Sequence, residues 1–499
     1  MRFAINLRKF RPASPSPVSF ETSFRLQASG YLSLPLGVLA AGVLFLGLAG
    51  CTAPVALLVK STATSPATPT DPPTTNPPTS NPSSNSPSSQ LPTINLPSEQ
   101  ASTAGAFLDS VGVVTHLSYT DTPYFLQFPQ IYTALKTLGI KHIRDGYYPW
   151  AESNPIVQAH QKLAAAGIKC DYVVPYVVTT TPQAIEQFAP MVRDMESLEG
   201  SNECDVSGEC NGMDQQGVDN VVGFLPTIYT AGQALGVPVV GPSFTQPSSY
   251  TQAGNLDANM TVNNLHVYFG GRNPGSNGWG SLDAEGNSYG SFNWWLDQAQ
   301  VDGPGMPSEI TETGYITTPA TLIPFTLPES VAASYTPRTL LLGYQHGLQK
   351  TYLYELIDEV SSPGYGLMNA DLTPKPAFTA VQNLLSTLSD DGASFSPSSL
   401  PYVLSGGDSN LNHLLLQKSD GSYWLVLWLE VPSWDPVLVQ PVTVTPESIS
   451  LELNGAYDAT TAYQFDTNGN VSSSSLTMDG YSTSLPVSDQ ITIVQITPQ

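Results

Sequence analysis

Positive charge is what this chain has least of. Of 499 residues, Lys and Arg supply 17 against 41 Asp and Glu, and charged residues together make up 12%. That share is about half of what a soluble domain ordinarily carries. The shortage deepens along the chain, because five basic residues (Arg2, Arg8, Lys9, Arg11 and Arg25) precede residue 51, leaving 12 to face 40 acids beyond it. Such a surface repels phosphate backbones and anionic headgroups, so no nucleic acid is expected as a partner and no lipid as a substrate. The same surplus predicts a chain that stays folded in acid, since self-repulsion fades as carboxylates near their ordinary pKa of ~4 take up protons.

Metal and cofactor signatures are missing as well. There is no His-Glu-x-x-His and no Cys-x-x-Cys, and no phosphate-cradling glycine loop follows an apolar strand, so no metal or cofactor is expected. Cysteine is scarce, at four. Cys204 and Cys210 flank one loop and are expected to form a disulfide in an oxidising compartment. Cys170 is then a buried free thiol.

The fourth cysteine belongs to the amino terminus. A basic region through Arg25 precedes an apolar run, Tyr31 to Leu48, which ends Leu48-Ala49-Gly50-Cys51. Small residues closing an apolar segment mark a secretory signal rather than a span. This ending resembles the bacterial lipobox, which implies that residues 1–50 are a signal peptide and that Cys51 is lipidated. Membrane contact would then be through that lipid anchor alone, and the folded part would lie outside the cytoplasm, at the cell surface. Residues 51–104 are Ser-, Thr- and Pro-rich and read as a semi-rigid tether.

From 105 to 389 apolar strands alternate with amphipathic helices, the pattern of a parallel sheet. Candidate strands are Val111–His116, Lys141–Arg144, Cys170–Val177, Ser197–Ser201, Pro238–Pro242, Asn264–Tyr268, Glu309–Thr313 and Lys350–Leu356. Eight strands followed mostly by helices give the count of an α/β fold of the (β/α)8 TIM-barrel type. Strand five is the weakest, with a poorly formed helix after it. Residues 390–499 lose the helical period, and runs such as His413–Lys418, Tyr423–Glu430, Leu438–Thr445, Ser448–Leu453 and Ile491–Ile496 read as a small antiparallel β-sandwich.

The strands' carboxyl ends carry His116, Arg144, Asn202, Glu203, His266, Tyr268, Glu312, Tyr354 and Glu355. Chemistry in such barrels is done at that rim. Two carboxylates on separate strand ends, Glu203 and Glu312, are what cleavage of a glycosidic bond needs: one nucleophile and one acid that later acts as base. Arg144 would keep Glu312 ionised, and the charge of Glu312 would raise the pKa of Glu203. Asn202, Glu355, His116, His266, Tyr268 and Tyr354 could bond sugar hydroxyls. Aromatic faces such as Trp295, in the helix after strand six, could stack on a sugar ring.

Taken in order, these motifs resemble the clan A retaining glycoside hydrolases. Asn202-Glu203 matches that clan's Asn-Glu at the end of strand four, which implies that Glu203 is the acid/base. Ile310-Thr311-Glu312-Thr313-Gly314-Tyr315 matches its strand-seven pattern, which implies that Glu312 is the nucleophile. His266-Val267-Tyr268 is similar to its strand-six His-x-Tyr, whose tyrosine commonly contacts the nucleophile. Strand eight departs: where many members carry a Trp, this chain reads Thr351-Tyr352-Leu353-Tyr354-Glu355. The resemblance implies a retaining glycosidase acting on an extracellular oligo- or polysaccharide. The competing expectation is a carbohydrate-binding surface lipoprotein without catalysis.

Overall fold

The structure, a computed structural model, describes residues 91–317, 325–359 and 364–499. Cys51 and most of the expected tether lie outside these residues. Among the described residues no helix is long and apolar enough to cross a membrane.

Two short strands come first, Ser98–Gln100 (β1) and Ser102–Thr103 (β2). The barrel comes next: Val111–Val114 (β3), His142–Gly146 (β4), Lys169–Val173 (β5), Met195–Glu199 (β6), Val239–Val240 (β7), Asn263–Val267 (β8), Ser308–Thr313 (β9) and Thr351–Leu353 (β10). These eight form one sheet in the order β7-β6-β5-β4-β3-β10-β9-β8. A parallel bridge between Val240 and Val262 joins its two ends. The expected (β/α)8 barrel is therefore present, with each expected strand in its place. The weak fifth strand is β7, of 2 residues, and its helix Pro247–Ala253 is only 7 long.

Local chemistry explains where the helices start and stop. Pro129, Pro155, Pro182 and Pro376 stand in the first turns of helices Phe128–Leu138, Pro155–Ala165, Pro182–Val192 and Pro376–Leu388, where a missing N–H costs nothing. Asn154 Oδ1 and Thr181 Oγ1 cap the second and third of these by accepting from Ile156 N and Ala184 N. Gly139 and Gly236 end their helices in the left-handed conformation.

The carboxyl-terminal sandwich comprises Ser399–Ser405 (β11), Leu411–Gln417 (β12), Tyr423–Leu429 (β13), a hairpin of Trp434–Asp435 (β14) and Gln440–Pro441 (β15), then Glu447–Leu453 (β16), Tyr457–Phe465 (β17), Val471–Ser475 (β18), Ser482–Val487 (β19) and Thr492–Pro498 (β20). Its sheets run β1-β11-β16-β19 and β18-β17-β20-β13-β12-β2. The expected tether is thus shortened: Ser98–Thr103 add edge strands to both sheets, their backbones pairing where side-chain composition gave no sign of a strand. The run Leu438–Thr445 is also corrected. Only Gln440 and Pro441 are paired there, while Val437, Leu438 and Val439 are 73%, 64% and 68% exposed. Pro441, with no N–H to donate, limits the ladder that the apolar run suggested.

Sandwich and barrel share helix Glu329–Gln345, which is buried from Val331 to Gly343. Arg338, fully buried on it, pairs with Glu430 and donates to the Val431 carbonyl. Ser334 Oγ donates to the Asp489 carbonyl at 2.7 Å, and Tyr335 Oη accepts from the Ser433 and Trp434 amides. An ion pair with both partners buried holds only when its remaining hydrogen-bonding capacity is used. Here Asn273 Nδ2 and Trp428 Nε1 complete Glu430.

Candidate active site

The barrel core is polar at the level of Glu199. Arg144, on β4, donates from Nε and Nη2 to Glu199 at 2.6 and 2.8 Å, from Nη1 to Glu312 Oε1 at 2.6 Å, and from Nη2 to Asn202 Oδ1 at 2.7 Å. One guanidinium fork therefore fixes groups from β6, the loop after it, and β9. A lysine has no such fork.

How Glu312 comes to face that fork is a matter of register. Leu265 pairs with Ile310, yet the next residue, His266, pairs with Glu312, so β9 carries a bulge at Thr311. A strand alternates its faces, and one extra residue flips every side chain beyond it. As a result both Thr311, bonded to Asn264 Oδ1 at 2.6 Å, and Glu312 point into the barrel. Glu203 is aimed by another device. It lies beyond the end of β6 with φ of 43°, a left-handed backbone that costs a non-glycine residue on the order of 1 kcal/mol. Its N–H is held by Ser243 Oγ at 3.0 Å, and Cys204, disulfide-bonded to Cys210, is the next residue.

His266 joins the two carboxylates. Its Nδ1 lies 2.8 Å from Glu203 Oε1 and 3.5 Å from Glu312 Oε2, and its Nε2 lies 3.1 Å from Thr311 Oγ1. One oxygen from each glutamate and one ring nitrogen lie within 4.8 Å of one another. The Thr311 hydroxyl spends its proton on Asn264 Oδ1, so it accepts from His266 Nε2–H. A neutral ring would then present the Nδ1 lone pair to a protonated Glu203, and a charged ring would donate to both carboxylates. One proton is shared between His266 and Glu203.

The two carboxyls are driven apart. Burial acts to raise Glu312, but the charges of His266 and Arg144, with the Tyr268 hydroxyl donating to Oε2 at 2.9 Å, outweigh it and hold Glu312 below its ordinary value. Burial raises Glu203 above its ordinary value, opposed by His266 and reinforced by the charge of Glu312. His266 itself titrates high, because burial is overcome by the same two glutamates. A low and a high carboxyl side by side is the usual division between nucleophile and proton donor.

The remaining expected residues are distributed unevenly. Asn202, half-buried, reaches the cluster through Arg144. His116 has its Nε2 3.5 Å from Glu355 Oε2, stacks on Tyr119, and is pushed down to about 3 by burial. Tyr354 packs edge-on against His116 and Tyr365, and its peptide bond to Glu355 is cis. Glu355 is corrected as a binder of sugar hydroxyls: it has no exposed surface and accepts from Tyr124 Oη at 3.3 Å. Arg144, 3% exposed, bonds Glu312 as expected; His266 is corrected likewise, since at 1% exposure it serves the carboxylates instead. Trp295 is the clearest correction. It is buried in the core beside Trp294, their rings 4.9 Å apart, because its helix turns that face inward.

Sequence reasoning passed over Tyr365, which stands between two glycines after β10 and packs on Tyr268 at 5.7 Å. It also passed over Glu209, inside the disulfide loop. Sequence reasoning also expects no serine-hydrolase elbow, yet Gly286-Asn287-Ser288-Tyr289-Gly290 has that spacing. It lies in a loop where Ser288 bridges Leu282, however, and among the described residues no histidine hydrogen-bonds that serine.

The chain has the fold of the TIM-barrel glycoside hydrolases. A family 39 glycoside hydrolase from the gut symbiont Bacteroides cellulosilyticus WH2 superposes with a TM-score of 0.51 at 15% identity, over 78% of this chain and 81% of that one. The catalytic domain of a family 30 xylanase, xylanase C from Talaromyces cellulolyticus, gives 0.48 at 14% identity, over 82% and 99%. No family model matches the sequence, and no curated protein does.

Proposed function

We propose that this chain is a retaining glycoside hydrolase acting on an extracellular oligo- or polysaccharide. The observation that carries this reading is the pair Glu203 and Glu312, with oxygens within 4.8 Å of each other through His266 and pKa values displaced in opposite directions. Retaining enzymes hold their carboxyl groups about 5–5.5 Å apart, too close for a water to attack between them. Glu312, ionised, attacks the anomeric carbon while Glu203 gives its proton to the departing oxygen, leaving a glycosyl ester on Glu312. Glu203, now a carboxylate, takes a proton from water, whose oxygen attacks the same carbon and releases Glu312. Tyr268 and Arg144 hold the nucleophile's oxygens, and His266 Nδ1 positions the acid.

Two features support an extracytoplasmic setting: the lipobox-like ending at Cys51 and the Cys204–Cys210 disulfide, a bond rare in reducing compartments. Under this reading the protein is anchored through Cys51 to a bacterial membrane and displayed at the surface. The test of the catalytic part is Glu312→Gln on a panel of aryl glycosides. Turnover should fall by more than 10^3-fold, a loss on the order of 4 kcal/mol of transition-state stabilisation, while substrate still binds. Activity kept above a few per cent would refute the assignment.

A further inference from the structure

Beside the paired carboxylates, between the carboxyl ends of β4, β5 and β6, lies an open cleft lined by Tyr148, Pro175, Tyr176, Asn202 and Glu209, among others. Its two tyrosines each pack on another ring, Tyr148 on Trp150 at 4.6 Å and Tyr176 on Phe224 at 5.4 Å. Glu209 is held at one end of a short covalent loop by the neighbouring Cys210 and by its own N–H on Ser207 Oγ. Its carboxylate has no ion pair and no side-chain hydrogen bond among the described residues, and no Lys or Arg lines the cleft. The nearby Arg144 is spent on Glu199, Glu312 and Asn202.

We infer that this cleft is a sugar subsite selective for a cationic residue, a hexosamine with a free ammonium group, and that Glu209 is its recognition group. This deepens the glycosidase reading and rests on it for the position of the reacting bond. A half-buried carboxylate without a partner gains most from a ligand that brings positive charge. An ammonium group meets the Glu209 carboxylate and aromatic faces that also favour cations. A uronate meets only repulsion, and a neutral or N-acetylated ring leaves the carboxylate unpaired. Burial and the charge of Glu203 push Glu209 up to about 7, as expected of a carboxylate that awaits a counterion.

Binding, rather than turnover, tests this. Methyl glycosides of glucosamine, galactosamine and mannosamine would be titrated by NMR into the full chain carrying Glu312→Gln, each beside its N-acetyl and hydroxyl counterparts. At least one amine should bind at least tenfold tighter than both counterparts. Adding Glu209→Gln should erase that preference, and Glu209→Asp, which keeps the charge, should retain part of it. No amine preference, or a preference that survives Glu209→Gln, overturns the inference. Because these titrations consume no substrate, they stand apart from the catalytic test: Glu312→Gln could prove fully active while the preference holds, or inactive while it is absent.

Discussion

Asp302 offers a stability test that needs no substrate. It ends helix Phe292–Asp302, it is 1% exposed, and neither carboxylate oxygen makes a hydrogen bond of good geometry. A helix carboxyl terminus already disfavours negative charge. Burial, offset in part by the N–H groups of Asp302 and Gly303, pushes its carboxyl up to about 8. Because the folded value lies above the unfolded one, its contribution is fully present below about pH 4 and is lost as pH rises toward 8. At ~1.36 kcal/mol per pH unit, a gap of about four pH units sets a ceiling near 5 kcal/mol, which local relaxation lowers to on the order of 2 kcal/mol. Asp302→Asn matches the shape of the protonated acid. Urea unfolding of both proteins at pH 3.5 and pH 8 should show equal stability in acid and a variant more stable by on the order of 2 kcal/mol in base. A difference that does not change with pH would refute the reasoning.

Three further outcomes are expected. Tyr268→Phe removes a hydrogen bond to an ionised nucleophile, worth about 1.5–3 kcal/mol; kcat/KM should fall roughly 10- to 100-fold, and the acid limb of its pH profile should move up as Glu312 becomes easier to protonate. Glu203→Ala should spare the first step on substrates with good leaving groups and slow the second, with azide restoring turnover; equal loss on all substrates and no rescue would count against the acid/base role. Cys51→Ser should abolish lipid labelling and release or misprocess the protein, and a wild-type protein that is membrane-bound yet carries no lipid label would remove the anchor reading.

The barrel was legible because its strands are apolar runs between capped helices, and periodicity reports such runs directly. Glu203, Glu312 and Arg144 were legible as polar residues at strand ends, one rim of one barrel. The features that depend on register left no such mark. The bulge at Thr311 decides which way Glu312 points, and no local composition signals it. Helix Glu329–Gln345 shows little amphipathic pattern because barrel and sandwich cover it from both sides. Trp295 failed as a sugar platform for a related reason: an aromatic after a strand looks the same whether it lines a mouth or fills a core. Ser98–Thr103 joined the sandwich through backbone pairing, which side chains scarcely announce.

In the retaining reaction Glu312 becomes covalently attached to the sugar. Activated 2-deoxy-2-fluoro glycosides slow the second step more than the first, so the wild-type protein can be incubated with a panel of differently configured ones, digested and mapped by mass spectrometry. One label per chain is expected, on the peptide carrying Glu312, and none after Glu312→Gln. A label on Glu203 or Glu355, or labelling that persists in the variant, would contradict it.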